Sequence, residues 1–416
     1  MGGSIDEKTI LEAHEELTCS SAATDDVEAL HLQSLPDVAY SWISKNIWRR
    51  RTPRRFYIVL FNAKITMLLP FGPLAIWLHI FTQNQGWVLV FSLLGMAPLT
   101  ERLGYVTRQL SLHTKPTVGR HINVTFVTVS DIITSLFALS KGMTRVVQIS
   151  LLGSILLNML LVIGWAFFTG GIIHGKKVQV FNKQHAQVNV RLLLMALMGI
   201  MLPTVLHFTH SEVHFGKSEL SRSRFSSCVM LVAYASFLFF KFISHRHLYR
   251  LTDEDEEGVQ DKDSSPEITV NVALGWFCFF VLWVSILSSY LLDAIEGASA
   301  SLNIPVAFIS AILLPVVGNI WSIMFSMSEK LDLTLGVAIG LSTQTAMFTI
   351  PFCVVVGWII GKPMDLNFEL FETAILAMAV LVVVFILQDG KSNYFIGLIF
   401  IMCYLIIAAS FYVYAG

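Results

Sequence analysis

Oxygen-bearing side chains interrupt an apolar stretch of the sequence between residues 117 and 140. At helical spacing, Thr128 and Asp131 lie on neighbouring turns of one face, and Asn123 lies further along it. Hydroxyl, amide and carboxylate oxygens suit a hard cation such as Ca²⁺. Hydrogen bonding between packed helices would explain the hydroxyls but not the carboxylate. Asp131 is therefore predicted to be the metal ligand of an ion-binding site, with Asn123 and Thr128 beside it.

Two further apolar stretches carry polar side chains at related positions. A faint internal similarity places residues 140–159 on residues 327–347, with Gly153 opposite Gly340. Paired polar positions in two halves of a chain are typical of a transporter site near the middle of the membrane. Hydrogen bonding between helices is the simpler interpretation of each pair taken alone. The candidate ion-binding residues here are Ser154, Asn158, Ser342 and Gln344.

Two glutamates are candidates for a proton-linked role. Glu101 precedes Arg102, and a local ion pair at the membrane surface is the simpler interpretation. Glu212 lies in the histidine-rich stretch HFTHSEVHF, which could sense pH. The spacing in HSEVH differs from the HExxH of zinc proteases. Because no catalytic constellation is visible, we predict that the protein is not an enzyme and needs no cofactor.

The composition places these residues in a membrane protein. Of the 416 residues, 55% are hydrophobic and 14% are charged, whereas soluble domains carry about 25% charged residues. A net charge of −1 argues against a nucleic-acid partner. About eleven apolar segments are each long enough to cross ~30 Å of hydrocarbon, and each must be helical there. They lie near residues 57–80, 86–105, 117–140, 146–171, 189–209, 225–243, 270–292, 304–328, 333–360, 369–387 and 394–415.

The expected fold is an all-α integral membrane protein with about 11 transmembrane helices: one N-terminal helix plus two inverted five-helix repeats. Five spans in each half would give the halves opposite orientations. Lys and Arg before the first span and in alternate loops place the N-terminus in the cytoplasm. The predicted regions are a cytoplasmic tail (1–56), a first helix and loop (57–85), the first repeat (86–243), an acidic cytoplasmic linker (244–269) and the second repeat (270–416).

Long stretches of the chain resemble the plant vacuolar cation/proton exchangers, a branch of the Ca²⁺/cation antiporters. They include GMAPLTERLGYVTRQLSLHTKPTVGRHINVTF, RVVQISLLGSILLNMLLVIGWAFFTGG and SEKLDLTLGVAIGLSTQTAMFTIPFCVVVGWIIG. The resemblance runs in order from about residue 46 to the C-terminus. It implies a multi-pass protein of the vacuolar membrane that moves Ca²⁺, or another divalent cation, into the vacuole in exchange for H⁺. In that family, two motifs that each carry a Gly-Asn and a glutamate hold the cation.

The chain departs from both motifs. In the first, Val127 and Thr128 stand where the family has Gly-Asn, and Asp131 stands where it has glutamate. In the second, Gly318 and Asn319 are retained as candidate ligands, but the acid and histidine after them are missing. About four residues, roughly one helical turn, are absent there. A mispredicted splice junction would leave the same gap.

Two functional hypotheses follow. The first is a Ca²⁺/H⁺ antiporter with impaired activity, because one carboxylate balances only part of a divalent charge in a low dielectric. The alternative is a non-transporting, exchanger-like regulatory subunit that assembles with an intact exchanger. The expected partners are the lipid bilayer, Ca²⁺, H⁺ and further subunits in a homo- or hetero-oligomer.

Overall fold

The computed structural model describes residues 64–82, 84–114, 116–173, 179–181, 183–209, 217–244, 267–328 and 331–414. The predicted tail 1–56, nearly all of the acidic linker, and Glu212 lie outside these ranges. A 3₁₀ turn, Lys64–Leu68, is followed by the short helix α1, Phe71–Phe81, and by α2, Gln85–Leu112.

The first half of the molecule continues with five helices. Helix α3 (Pro116–Val127) is separated from α4 (Val129–Ser140) by a single residue, Thr128. Helix α5 runs through Thr144–Leu156, a π-helical turn at Leu157–Val162, and Ile163–Ile173. Helices α6 (Lys183–Phe208) and α7 follow, the latter comprising Lys217–Phe239 and a π-helical turn at Phe240–Ser244.

The second half presents its elements in a similar order. A long helix, α8 (Val270–Leu302), ends at Asn303, whose left-handed backbone stops the helix. Helix α9 (Val306–Gly318) and helix α10 (Ile320–Ser328) meet at Asn319 and are bent by 55°. Helix α11 runs through Leu331–Gln344, a π-helical turn at Thr345–Thr349, and Ile350–Ile359. Helices α12 (Leu370–Asp389) and α13 (Tyr394–Val413) complete the chain.

Membrane-spanning helices dominate the described residues. Eight spans among these residues are long and apolar enough to cross a membrane, if α3 and α4 together are taken as one span, Val118–Ser140. The bent pair α9 and α10 makes a ninth if it is one span. The predicted number of about eleven is not confirmed. Of the predicted segment 57–80, residues 64–80 are described, and they contain Lys64–Leu68 and most of α1. Helix α2 contains the predicted segment 86–105, but it carries the charged residues Glu101 and Arg102 and is not among these spans.

The helix termini meet at two ends of the bundle, and contacts between the termini identify each end. At the linker end, the end of α2 contacts the residues that precede α8: Tyr105 Oη donates to Glu267 at 2.6 Å, and His113 lies 2.7 Å from the Ile268 carbonyl. The short strands β1 (Gln179–Val180) and β2 (Lys391–Ser392) pair antiparallel, which joins the α5–α6 and α12–α13 connections.

The opposite end joins the start of α5 to the segment before α12. Arg145 Nη2 lies 2.7 Å from Glu372 Oε1 and 3.2 Å from Glu369 Oε1, and Glu372 is fully buried. Gln148 Nε2 donates to Asp365 Oδ1 at 2.8 Å. These contacts connect helix α5, which carries two of the candidate ligands, to the start of α12 and the segment before it.

Candidate functional site

The two helix interruptions bring the main candidate residues together. Asp131 is the third residue of α4, three residues after Thr128, the single residue between α3 and α4, with φ −72° and ψ −8°. Asn319 is the single residue between α9 and α10, with φ −111° and ψ 23°. Interruptions of this kind leave side chains and backbone groups free to contact an ion inside a membrane protein.

Asp131, Ser154, Asn319 and Asn158 form one hydrogen-bonded cluster, which we call the Asp131 cluster. Ser154 Oγ donates to Asp131 Oδ2 at 3.2 Å. The Asn319 amide donates to Asp131 Oδ2 at 3.5 Å and to Ser154 Oγ at 3.3 Å. The Asn158 amide lies 3.5 Å from Asn319 Oδ1 and donates to the Ser154 carbonyl at 2.9 Å. Four side chains from three distant parts of the sequence therefore meet.

The cluster offers oxygen atoms suited to a hard cation. Asp131 provides two carboxylate oxygens, Ser154 a hydroxyl oxygen, and Asn319 and Asn158 each an amide oxygen. Asn158 is 1% exposed, and its Oδ1 accepts no hydrogen bond within the described structure. A buried polar atom without a partner typically costs about 1–3 kcal/mol. A cation ligated by this oxygen would remove that penalty.

Two glycines allow these side chains to approach one another. A Cβ at Gly153 would lie 2.1 Å from the Ala311 carbonyl oxygen and 2.8 Å from Pro315 Cγ. The backbones of α5 and α9 can therefore touch only because residue 153 has no side chain. A Cβ at Gly318 would lie 3.0 Å from Asp131 Oδ1. Gly318 thus leaves room for the carboxylate and provides no ligand from its side chain.

A second polar group connects α3, the residue Thr128, and α11. Gln344 Nε2 donates to Thr128 Oγ1 at 2.9 Å, and Thr125 Oγ1 donates to Gln344 Oε1 at 3.4 Å. Thr128 also donates to the Thr125 carbonyl. Gln344 is therefore joined to the turn that precedes Asp131.

Other predicted residues lie apart from the Asp131 cluster. Asn123 Oδ1 accepts from Thr107 at 3.1 Å, and Ser342 donates to the Ala338 carbonyl of its own helix at 3.0 Å. Glu101 pairs with Arg102 at 2.7 Å. Both members of this pair are buried, so the expected ion pair exists but does not lie at an exposed surface.

An apolar cluster lies on the linker-end side of Asp131. Trp321 follows Asn319 closely, and a Cβ on Gly104 would lie 2.0 Å from its ring. The cluster is completed by side chains of α3, α10 and α11. Its buried members are Val124, Val127, Trp321, Phe325, Val337 and Leu341.

Sequence reasoning did not find several contacts that support the site. Thr100 Oγ1 donates to the Val317 carbonyl at 2.8 Å, and Thr134 lies 2.9 Å from Ser288 Oγ. These hydroxyls lie on helices that meet only in the folded molecule. Within the described residues, no group of three or more His, Cys, Asp or Glu could hold a metal ion. The other candidate ligands around Asp131 are therefore neutral oxygen atoms.

The sodium/calcium exchanger protein family matches residues 85–243 and 272–413. The chain belongs to this family. Within it, the plant vacuolar cation/proton exchangers are close relatives. The exchanger is 59% identical over 390 residues to vacuolar cation/proton exchanger 2 of Oryza sativa subsp. japonica, covering 92% of this chain and 89% of the relative. It is 58% identical to vacuolar cation/proton exchanger 5 of Arabidopsis thaliana, covering 86% and 83%.

Solved structures support the same assignment of the exchanger. Native YfkE is 27% identical, with a TM-score of 0.71, covering 84% of this chain and all of YfkE. A second structure of YfkE is described as a Ca²⁺/H⁺ antiporter protein, and it aligns at 26% identity with a TM-score of 0.68. An H⁺/Ca²⁺ exchanger, CAX, has a TM-score of 0.63 at 12% identity and shows the shared fold. The exchanger is therefore an all-helical, multi-pass membrane transporter of this family.

Proposed function

We propose that the protein is an antiporter that moves Ca²⁺ into the vacuole in exchange for protons. The observation that carries the proposal is the Asp131 carboxylate, held by Ser154 and Asn319 where two interrupted helices meet. The relatives named as vacuolar cation/proton exchangers support the location and the exchanged ions. YfkE, described as a Ca²⁺/H⁺ antiporter protein, supports Ca²⁺ as the cation.

Asp131 explains how the two ions compete for one site. The ionised carboxylate attracts Ca²⁺, and the oxygens of Ser154, Asn158 and Asn319 replace part of its hydration shell. Protonation of the carboxylate removes the negative charge and releases the cation. Binding the next cation in turn displaces the proton. Glu101 and Glu212 are further candidates for proton-linked groups.

The order of elements supports alternating access by two inverted halves. Each half has a long helix, an interrupted helix and a helix with a π-helical turn, followed by two further helices. If each successive span crosses once, α2 runs towards the linker end and α8 runs away from it. The halves 86–243 and 270–416 would then be inverted repeats around the Asp131 cluster. The tail 1–56, helix 57–85 and linker 244–269 complete this proposed organisation.

We infer that transport is weak compared with an exchanger that has two carboxylates at its site. Ca²⁺ prefers six to eight oxygen ligands. The cluster supplies one carboxylate, so part of the divalent charge stays uncompensated in a low-dielectric region. Retained water molecules would have to complete the coordination shell.

The direct test is uptake of radioactive Ca²⁺ by vesicles that contain the purified protein and an imposed pH gradient. We expect uptake above that of empty vesicles, collapse on addition of a protonophore, and loss in Asp131→Asn. The matched control is Asp389→Asn, which neutralises an exposed carboxylate at the end of α12. Equal uptake by the protein and empty vesicles, or full activity of Asp131→Asn, would contradict the proposal.

The regulatory-subunit alternative is favoured by the same single carboxylate. It predicts no uptake by the purified chain and co-purification with an active exchanger from the native membrane. Sequencing the transcript across the codons for 312–326 establishes whether the missing helical turn belongs to the expressed chain.

A further inference from the structure

A cavity of about 40 Å³ lies between helices α3, α6, α7 and α11. A cavity needs roughly 10–15 Å³ for each water molecule that it holds. The space therefore accepts about three oxygen-sized atoms, which matches the terminal oxygens of a phosphate group. Its lining is mixed, with basic, amide and hydroxyl groups beside apolar and aromatic side chains.

Three basic side chains face this cavity. Arg120 and His121 come from α3, and Lys241 comes from the π-helical turn at the end of α7. Lys241 Nζ lies 5.8 Å above the centre of the Phe237 ring and 5.7 Å above that of Phe242. Asn189 and Gln344 add polar groups to the wall. Among the described residues that line the cavity there are basic side chains but neither Asp nor Glu.

The cavity lies close to the linker end of the bundle. Arg120 is near the start of α3, Asn189 near the start of α6, and Lys241 near the end of α7. At 1.5 Å of rise per residue, each lies within about 10 Å of its helix end. This is the depth at which lipid headgroups meet the hydrocarbon of a bilayer. Basic pockets between transmembrane helices at this depth bind phosphate-bearing headgroups.

We propose that this cavity binds a phosphate group, supplied by an anionic lipid or by free phosphate, through Arg120 and Lys241. Arg can hold phosphate oxygens through two parallel hydrogen bonds, and Lys provides a second positive charge. The lining therefore fits an anion better than the transported cation.

The cavity is connected to the candidate ion site through Gln344. Gln344 lines the cavity and donates to Thr128, three residues before Asp131. A phosphate held there would fix α3, α7 and α11 relative to one another. Since these helices would have to move during exchange, the bound phosphate would slow transport. This regulatory effect rests on the proposed function, whereas binding itself does not.

Binding is tested on the purified protein in nanodiscs, where transport is not needed. The probes are phosphatidylcholine nanodiscs containing phosphatidylinositol 4-phosphate, pure phosphatidylcholine nanodiscs, and the latter with inorganic phosphate. Bound lipid is measured by native mass spectrometry and bound phosphate by a radiolabel. We expect the double variant Arg120→Gln, Lys241→Gln to weaken binding by about tenfold or more.

Two controls separate charge from general damage to the fold. Arg191→Gln removes an exposed positive charge from α6, two residues from Asn189, and should leave binding unchanged. The charge-preserving variant Arg120→Lys, Lys241→Arg should retain most of the binding. Binding of the lipid alone identifies a headgroup, and binding of inorganic phosphate identifies a soluble source. Equal binding by wild type and the Gln variant, or equal loss in Arg191→Gln, would overturn the proposal.

Transport is then measured in the same variants. With the phosphate source present, the Gln double variant should exchange Ca²⁺ faster than wild type, and without it the two rates should agree. Absence of Ca²⁺ uptake with phosphate binding intact would reject the proposed function alone. Loss of the binding difference with uptake intact would reject the phosphate site alone.

Discussion

At the scale of single residues, the charge on Asp131 depends on neutral neighbours. Ser154 and Asn319 both donate hydrogen bonds to its Oδ2. Hydrogen bonds to a charged group typically contribute about 1.5–3 kcal/mol. The ionised form, which is proposed to bind the cation, is therefore stabilised by groups that carry no charge themselves.

The Ser154 hydroxyl should set the affinity for the cation. In Ser154→Ala we expect the KM for Ca²⁺ to rise about tenfold or more, because one hydrogen bond to the carboxylate is lost. The measurement is initial uptake at a fixed pH gradient over a range of Ca²⁺ concentrations.

Ser150→Ala is the matched control for this variant. Ser150 lies one turn earlier on α5, and its hydroxyl donates to the Val147 carbonyl of the same helix. Its KM should match that of wild type. Equal KM values for Ser154→Ala and wild type would contradict a role for Ser154 in binding the cation.

At the scale of elements, the contact between α5 and α9 positions the Asp131 cluster. Gly153 lets the α5 backbone approach Ala311 and Pro315. Ser154 follows directly, and Asn319 lies one turn beyond Pro315, whose carbonyl accepts from the Asn319 amide at 3.1 Å. The distance between the two helices therefore determines whether Ser154 and Asn319 meet.

Gly153→Ala should force α5 and α9 apart. Its methyl group would lie 2.1 Å from the Ala311 oxygen, so the helices must shift. Overpacking of this kind costs about 1–3 kcal/mol. We expect a lower Tm and a loss of Ca²⁺ uptake, measured on the same reconstituted preparation.

Gly275→Ala is the corresponding control on α8. A Cβ there has no other atom within 4 Å, and Ala is the better helix former by about 1 kcal/mol. Its Tm should be equal to or higher than that of wild type. If Gly153→Ala has the same Tm and uptake as this control, the close contact between α5 and α9 is not needed for stability or for transport.

At the scale of the whole molecule, the two ends of the bundle should face different compartments. The connections at residues 112–116, 244–270 and 389–394 belong to the linker end, and those at 140–144 and 359–370 belong to the opposite end. Basic residues before the first span and in alternate loops favour the cytoplasm for the linker end.

Epitope tags should report this arrangement in intact vacuoles. A tag within 252–266 and one at the N-terminus should be digested by added protease, whereas a tag after residue 416 should be protected. Detergent should expose all three. Protection of the linker tag in intact vacuoles would invalidate the proposed orientation. Protection of only one of the two cytoplasmic tags would invalidate the even number of spans that is predicted between the N-terminus and the linker.

The sequence by itself determined that the protein lies in a membrane, which family it resembles and which residue types could form its site. Apolar segments longer than a bilayer is thick require helices, and a carboxylate inside such a segment requires polar partners. For that reason Asp131, Ser154 and Asn158 could be selected before any contact was known, and Asn319 was selected through the resemblance to the exchanger family.

Only the tertiary structure decided which of the candidates meet. Asn123 and Ser342 lie on suitable helices but bond elsewhere, because helix rotation and interhelical distance are set by packing. The cavity that is proposed to bind phosphate was invisible for the same reason. Arg120 and Lys241 are far apart in sequence, and the folded helices bring both into the lining of one cavity. Periodicity along one chain describes each helix separately, whereas a site depends on several helices at once.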